Sequence, residues 1–362
     1  MLRTQPVGGG WPRARRLALA AAALALCAQA AGQGAAPPTA PGADYASLAT
    51  EFDPGPGSEE PEFFAGRGDA PEAPRIETSL LGAAVDSIFG DAYAPGRWHP
   101  LPLRTFFSEG WNEAWAGAPA GKNGTSPRHG WLGAFQGVFY RLWFVEFGYA
   151  HGVDVPRGSQ RYTGDYTLFL PLNRRFEVMI QAPFLMANGT VDPLRGYASG
   201  VGDLRFAPKL MLSESEGLSQ TLSMLIRVPT GSTTLGEGIA SLDPRYEFWS
   251  NPFGSWVVRG GGGPSIPLNP HHAAATTTLI GDAAIGRFFR PHDVPFGDLV
   301  VYAACNYKVP LRGDVTSTYV GVGPGTRFHV GRNYFLLHYW EFAVAGAHPQ
   351  DYTVQSALLK IF

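Results

Sequence analysis

The chain has 362 residues, enough for one large domain or two ordinary ones, and carries 13% aromatic but only 16% charged side chains, against about 25% charged in an average soluble domain. Its formal net charge is −2, so no global field points to nucleic acid or to an acidic partner, and no basic stripe or finger spacing supplies a local one. With 46 glycines and 31 prolines, the composition fits many short strands joined by turns better than it fits a helical protein.

Residues 1–30 read as a secretory signal peptide. Arg13, Arg15 and Arg16 form a basic start, Leu17 to Cys27 an apolar run, and Ala28-Gln29-Ala30 a small-x-small cleavage pattern. That run is shorter than the ~20 residues a helix needs to cross a bilayer. Arg15-Arg16 has the wrong flanks for a twin-arginine route, and Leu26 is too bulky to precede a lipidated Cys27. Cleavage would leave Cys305 as the one cysteine, which excludes an intramolecular disulfide.

Residues 31–128 form an Ala/Pro/Gly-rich extension. Gln33 to Pro74 has no sustained period and reads as irregular. Ile76 to Phe89 has spaced apolar residues and predicts one short helix. Prolines 95, 100 and 102 then lead into the aromatic cluster of Phe106, Phe107, Trp111 and Trp115. Two expectations attach to this extension: it plugs or docks on the mouth of a barrel, or it folds against the first strand.

From residue 129 onward the sequence predicts strands. Period-two alternation, which sends successive side chains to opposite faces, is clear in four runs. Phe176, Val178, Ile180, Ala182, Phe184 and Met186 oppose Arg175, Glu177 and Gln181. Leu204, Phe206, Leu210 and Leu212 oppose Asp203, Arg205 and Lys209; Leu218, Leu222, Met224, Ile226 and Val228 oppose Ser219, Thr221, Ser223 and Arg227. Leu242, Tyr246 and Phe248 oppose Asp243, Arg245 and Glu247. About twelve strands are expected, near 131–150, 160–171, 175–187, 199–213, 217–229, 242–250, 254–266, 276–289, 297–310, 315–330, 332–345 and 351–362.

A soluble sandwich would alternate as well. Turn length separates the two: Asn173-Arg174, Asn251-Pro252-Phe253 and Gly331-Arg332-Asn333 are short, whereas Ala187 to Ser199, Thr230 to Ser241 and Pro267 to Ala275 are long. Short and long connections alternate as the periplasmic turns and external loops of an outer-membrane barrel do, and only 290–297 is longer than the pattern asks. Trp143, Tyr149, Trp249, Trp256, Tyr302, Tyr334, Trp340 and Phe362 fall in or near strand ends, as interfacial girdles require. Gly260 to Gly263 and Gly321, Gly323 and Gly325 lack a Walker lysine and a following helix, so they read as bends or close approaches in a curved sheet. The fold expected is an all-β, membrane-spanning, antiparallel up-and-down barrel over 129–362, in the bacterial outer membrane.

Ser199-Gly200-Val201-Gly202-Asp203-Leu204-Arg205-Phe206-Ala207-Pro208-Lys209 resembles a recurring strand motif of an outer-membrane barrel family named for the meta-pathway of phenol degradation. Arg227 to Ser232 and the Leu170 to Glu177 stretch leading to Pro183 resemble the strands beside it. The resemblance covers about residues 131–362 and implies an outer-membrane barrel that carries hydrophobic or aromatic compounds inward. Its motifs are structural and name no cargo. Phe362 and Leu358 match the terminal signal read by the barrel-insertion machinery; Lys360 departs from it.

In such a barrel the inward faces would carry Asp165, Glu177, Gln181, Asp203, Arg205, Lys209, Arg227, Asp243, Arg245 and Glu247, with Arg327 and Glu341 as further candidates. They predict either a polar channel lumen for small solutes or an interior filled with cross-strand ion pairs that conducts nothing. A soluble ligand-binding sandwich is the third reading. No catalytic function, cofactor or metal is expected: there is no Gly-x-Ser-x-Gly elbow, and none of the nine histidines sits in the motif of the outer-membrane phospholipases. His271-His272 reads as a solvated loop pair and His338 as a packed or interfacial residue. Expected partners are membrane lipid, the insertion machinery through Phe362, and a small solute.

Overall fold

The computed structural model describes residues 79–118, 126–154, 157–189, 197–231, 238–269, 276–291, 294, 296–311, 318–346 and 349–362. The signal-peptide reading, the irregular stretch before residue 79 and the His271-His272 pair lie outside them.

Strands β1 (Leu142–Asp154), β2 (Arg157–Pro171), β3 (Phe176–Gly189), β4 (Tyr197–Gly200), β5 (Leu204–Glu214), β6 (Leu218–Val228) and β7 (Ser241–Phe253) are followed by six more. These are β8 (Trp256–Pro267), β9 (Thr278–Phe289), β10 (Leu299–Pro310), β11 (Tyr319–Gly331), β12 (Tyr334–Gly346) and β13 (Tyr352–Ile361). Every neighbour pair is antiparallel, and β1 pairs with both β2 and β13, so the sheet closes on itself. β4 and β5 both pair with β3 in one unbroken register, Met186 opposite Gly200 and Gln181 opposite Arg205. They are one stave interrupted at residues 201–203, and the barrel has twelve staves. Closure removes every open edge, leaving backbone groups paired within the wall.

One boundary differs from expectation. The first strand begins at Leu142, and residues 131–141 are not wall. Their aromatic, apolar sequence has the composition of a strand, but their contacts lie inside the barrel.

Alternation holds on the wall itself. In β6, Ser219, Thr221 and Ser223 are buried whereas Leu218, Leu222 and Val228 are exposed. Exposed Phe147, Tyr166, Ile180, Phe184, Tyr246, Val301, Trp340, Phe342 and Leu358 share the outward face of their strands. An apolar outer face on a closed barrel is the surface that lipid solvates. Two outward cations stand near the short-turn rim. Arg287 lies over the Phe289 ring and Lys360 over the Tyr334 ring, at 5.5 and 5.3 Å, where a long side chain can carry its charge to the interface. Lys360, the departure from the terminal pattern, therefore sits where a lysine is tolerated.

The short turns, at 172–175, 215–217, 254–255 and 332–333, share one end of the barrel with the longer connection 290–298. That connection turns in beneath the mouth: Phe296 is buried against Phe335, and its carbonyl accepts from Arg327 Nη2 at 2.6 Å. Residues 79–118 cover the same mouth. Helix α1 (Leu80–Phe89) starts at Ser79, whose hydroxyl accepts from the Gly82 N–H, an N-cap that replaces one missing helical partner. Leu101 bridges to Glu214 at the end of β5. The fully buried Arg174 and Arg175, in the β2–β3 turn, donate to the carbonyls of His99 and Glu109.

Candidate functional site in the barrel interior

Residues 126–141 enter at the covered mouth, where Ser126 Oγ donates to the Gly254 carbonyl, and leave it where β1 begins. Between these points the chain rises into the lumen. Its flanks, Trp131, Leu132 and Gly137 to Arg141, are buried, and its apex, residues 133–136, is half-buried. The apex reaches mid-wall: the Phe135 N–H donates to Asp282 Oδ2 on β9 at 2.7 Å, and Phe135 lies under the Arg245 guanidinium of β7 at 4.6 Å.

The segment forms no strand with the wall and is held by inward side chains. Arg259, on β8 and fully buried, donates to Gln136 Oε1 at 2.8 Å, to the His129 carbonyl at 2.7 Å, to Tyr140 OH at 3.0 Å and to the Arg128 carbonyl. Lys209 Nζ on β5 donates to the carbonyls of Gln136 and Val138 at 2.5 and 3.2 Å. Glu177 on β3 accepts from the Tyr140 N–H, and Tyr302 OH on β10 donates to the Leu132 carbonyl at 2.9 Å. Wall side chains thus satisfy several of the segment's buried backbone groups, and Gln136 Nε2 within the segment donates to the carbonyls of Trp131 and Ala134.

Packing supplies the rest. Trp131 stacks on Tyr302 at 4.7 Å, and Tyr302 in turn stacks with Tyr339 at 6.3 Å. The wall makes room with small residues: a Cβ on Gly286 would lie 2.7 Å from the Trp131 ring, and one on Gly261 would lie 3.2 Å from Phe135. Gly133 turns the apex at φ +67°, where a Cβ would also strike Tyr339 at 2.3 Å. His129 packs between Tyr140 and Phe296.

The ten lumen candidates fall into several groups. Glu177, Lys209 and Glu247 come together beside the internal segment, with Lys209 Nζ 3.3 Å from Glu177 and 3.6 Å from Glu247. Gln181, Arg205 and Arg227 stand in one cross-strand row nearer the long loops, and Arg205 Nη1 donates to Gln181 Oε1 at 3.1 Å. Asp243 pairs with Arg245 at 3.0 Å and accepts from Ser265 at 2.7 Å. Asp165 faces Glu146 across β1 and β2. Asp203, also buried, sits in the break between β4 and β5 and accepts from the Gly231 N–H at 2.9 Å. Arg327 is buried at the mouth between the Phe288 and Phe335 rings. Glu341 lies in the upper lumen, taking hydrogen bonds from Asn306, Tyr319 and Tyr339. His338 packs on the outer face against Phe328 and Ser356.

Sequence reasoning missed Arg259, Asp282, Tyr302 and Glu146. Arg259 and Asp282 each border glycines that blur the alternation, and Tyr302 reads equally well as a girdle aromatic.

The cover over the mouth has its own electrostatics. Glu113 accepts from the Gly110 N–H at 3.2 Å and lies 2.6 Å from His99 Nε2. The hydrogen bond from His99 holds the Glu113 pKa below the ordinary carboxylate value of 4.5, against the opposing effect of burial, with help from Arg174. A carboxylate whose pKa falls on folding contributes stability above its unfolded pKa and loses it as pH drops through the folded value. Amide exchange across 99–117, corrected for intrinsic rate, is therefore expected to accelerate as pH falls below about 4.5. Glu113→Gln should exchange faster already at neutral pH and show no such acid step.

No curated protein matches the sequence. Among solved structures, the COG4313 outer membrane channel from Pseudomonas putida F1 is similar at 12% identity and TM-score 0.49, over 65% of this chain and 99% of that one. NanC porin (7% identity, TM-score 0.43, 61% and 99% of the two chains) and KdgM porin (9%, 0.40, 60% and 99%) are also similar. The family model described as "Putative MetA-pathway of phenol degradation" matches residues 131–347, more than half of the chain, and the protein belongs to that family.

Proposed function

We propose that the protein is a passive channel for small solutes in the bacterial outer membrane, with short turns facing the periplasm and long loops outside. In the conformation described, residues 126–141 close its lower half. The observation that carries this reading is the way the closure is built. The segment is joined to the wall by side-chain hydrogen bonds and aromatic packing, so it can leave without breaking one strand pair. Above its apex, Arg205, Arg227, Gln181 and Glu341 line a polar upper lumen, the setting in which charge selects solutes. Among the described lumen residues no nucleophile–base pair favours catalysis, and the hydrogen-bonded Ser356 and His338 lie on the outer face of the wall.

The filled lower lumen also favours a second reading, a non-conducting barrel that serves as structure or as a platform for its loops. Planar-bilayer recording separates the two. The full chain should show rare discrete openings, and a chain lacking residues 31–136 should show frequent ones, provided that heat-modifiable gel mobility shows both barrels folded. Sealed bilayers from both folded proteins would leave the non-conducting barrel. Recovery of the protein in the soluble fraction without detergent would remove the membrane assignment and the expected contacts with lipid and, through Phe362, with the insertion machinery.

A further inference from the structure

In the cover over the mouth, α1 is the wrong way round for a helix that faces water. Its small residues Ala83 and Ser87 are buried, and the Ser87 hydroxyl accepts from the Trp115 N–H at 2.8 Å. Leu80, Leu81, Val85 and Phe89 are all more than half exposed. Leu81, Val85 and Phe89 recur every four residues, so they form one stripe. A helix between a core and water keeps its bulky apolar stripe inside, and a contiguous exposed apolar patch marks a contact. The one charged residue of the helix, Asp86, pairs with Arg97. Position names the contact. Arg141, just before β1, donates to the Ser87 and Gly90 carbonyls at 3.2 and 2.7 Å and to the Phe362 carbonyl. The end of α1 is thereby fixed to the rim where β1 meets β13. Two residues further on, Trp143 stands on the outward face and packs against the exposed Tyr166 at 6.2 Å. Arg141 therefore lies about 7 Å from this aromatic girdle, at headgroup depth. A second apolar point stands on the same rim. Leu103 and Phe107 are exposed, and Arg175 in the β2–β3 turn holds their segment, donating to the Pro102 carbonyl at 3.4 Å and lying over the Phe106 ring at 5.4 Å.

We infer that α1, with Leu103 and Phe107, is a membrane anchor whose Leu81, Val85 and Phe89 stripe lies among the acyl chains of the leaflet at the short-turn rim. This goes beyond the channel reading and rests only on the membrane placement of the barrel. The stripe continues the apolar outer wall past the girdle, so one lipid surface covers both. A free interfacial helix carries a charged face towards water. Here Ala83 and Ser87 replace that face, because the cover and the barrel rim lie behind them. A helix of ten residues has little apolar area to bind a bilayer alone. Its covalent link and the Arg141 hydrogen bonds hold it at the surface, which makes insertion intramolecular and raises its effective concentration there. An uncharged stripe at this depth matches lipid chains and offers a charged ligand nothing.

Fluorescence quenching in nanodiscs of phosphatidylethanolamine and phosphatidylglycerol reads the depth of the stripe, with both faces of the bilayer open to water. A thiol dye is placed through Val85→Cys, and in a second chain through Val301→Cys on the outer wall near the same rim, each in the full chain carrying Cys27→Ala and Cys305→Ala. Lipids spin-labelled near the top of the acyl chain are expected to remove at least half of the emission at both positions. Iodide should quench position 85 far less than it does in the urea-unfolded chain. Adding Leu81→Ser and Phe89→Ser should at least halve the lipid quenching at position 85, with heat-modifiable mobility unchanged. Strong iodide quenching with weak lipid quenching at position 85 would overturn the anchor and leave a face open to water. Protection from both quenchers would overturn it too, and would mean that protein covers the stripe, either a second copy or residues 31–78. Weak lipid quenching at position 301 as well would defeat the membrane placement itself. Conduction, or its absence, bears on neither result.

Discussion

Arg259→Leu is expected to raise the open probability of the barrel by more than tenfold with little change in its assembly. The guanidinium is fully buried and makes four hydrogen bonds to the internal segment, three of them from Nη2. Leucine fills part of the space but leaves the His129 carbonyl without its donor, and the single Tyr140 hydroxyl proton can then serve only one of the Arg128 carbonyl and Gln136 Oε1. Each buried group left unsatisfied costs about 1–3 kcal/mol. Even two such losses suffice for a tenfold shift, since ~1.4 kcal/mol is a factor of ten in population. The loss falls on the seated conformation alone, because a withdrawn segment finds water for the same groups. Arg259 also lies over the Trp131 ring at 4.9 Å, so seating of that ring should loosen too. Wall pairing of β8 with β7 and β9 runs through backbone groups and is untouched. Single-channel recording reads the effect; an open probability equal to that of the unaltered chain would show that the segment is not the gate.

Lys209→Met is expected to be the most destabilising single change in the interior. Lys209 lies between Glu177 and Glu247, all three buried, and also donates to two carbonyls of the internal segment. Removing the one cation leaves two buried carboxylates facing each other, and breaking a buried pair in this way costs about 3–5 kcal/mol. Adding Glu177→Gln should recover part of the loss, since an amide keeps an acceptor for the Tyr140 N–H without the charge. Denaturant unfolding in lipid vesicles should place the single variant well below the unaltered chain and the double variant between them. If the double variant were no more stable than the single one, charge would not be the cause.

The wall was legible in the sequence because each stave answers to two media at once. Ser219, Thr221 and Ser223 face in while Leu218 and Leu222 face out, so alternation reports position directly. Turn length reports the end of the barrel, and the long 290–298 connection fits once it is seen folding beneath the mouth with Phe296 inside. The internal segment was not legible. Trp131 to Arg141 joins β1 without a break in composition, and its aromatic residues satisfy a strand pattern as readily as a lumen contact. Only the partners distinguish the two, and they come from staves all round the barrel. A trace did exist in the glycines: Gly261 and Gly286 face inward where a side chain would meet Phe135 or Trp131. They matched the expected close approaches, but a glycine does not name what approaches it.

The candidate residues show the same division. Period two was enough to send Glu177, Lys209, Arg227 and Glu247 inward. It could not say that Lys209 serves the internal segment while Arg227 lines the space above it, because depth in the lumen has no local signature. Arg259 went unnoticed beside Gly260 to Gly263, and period two could not show that Asp203 falls in the interruption at 201–203.

Sided chemical labelling of the apex tests the central claim most directly. In a chain carrying Phe135→Cys and Cys305→Ala, reconstituted in vesicles with known orientation, a charged membrane-impermeant thiol reagent is added to one side at a time. Reaction is predicted from the long-loop side at a measurable rate and from the turn side only when Arg259→Leu is also present. Equal reaction from both sides of the unaltered interior would contradict a lower lumen closed by residues 126–141. Reaction from neither side, even with Arg259→Leu, would contradict the open upper lumen.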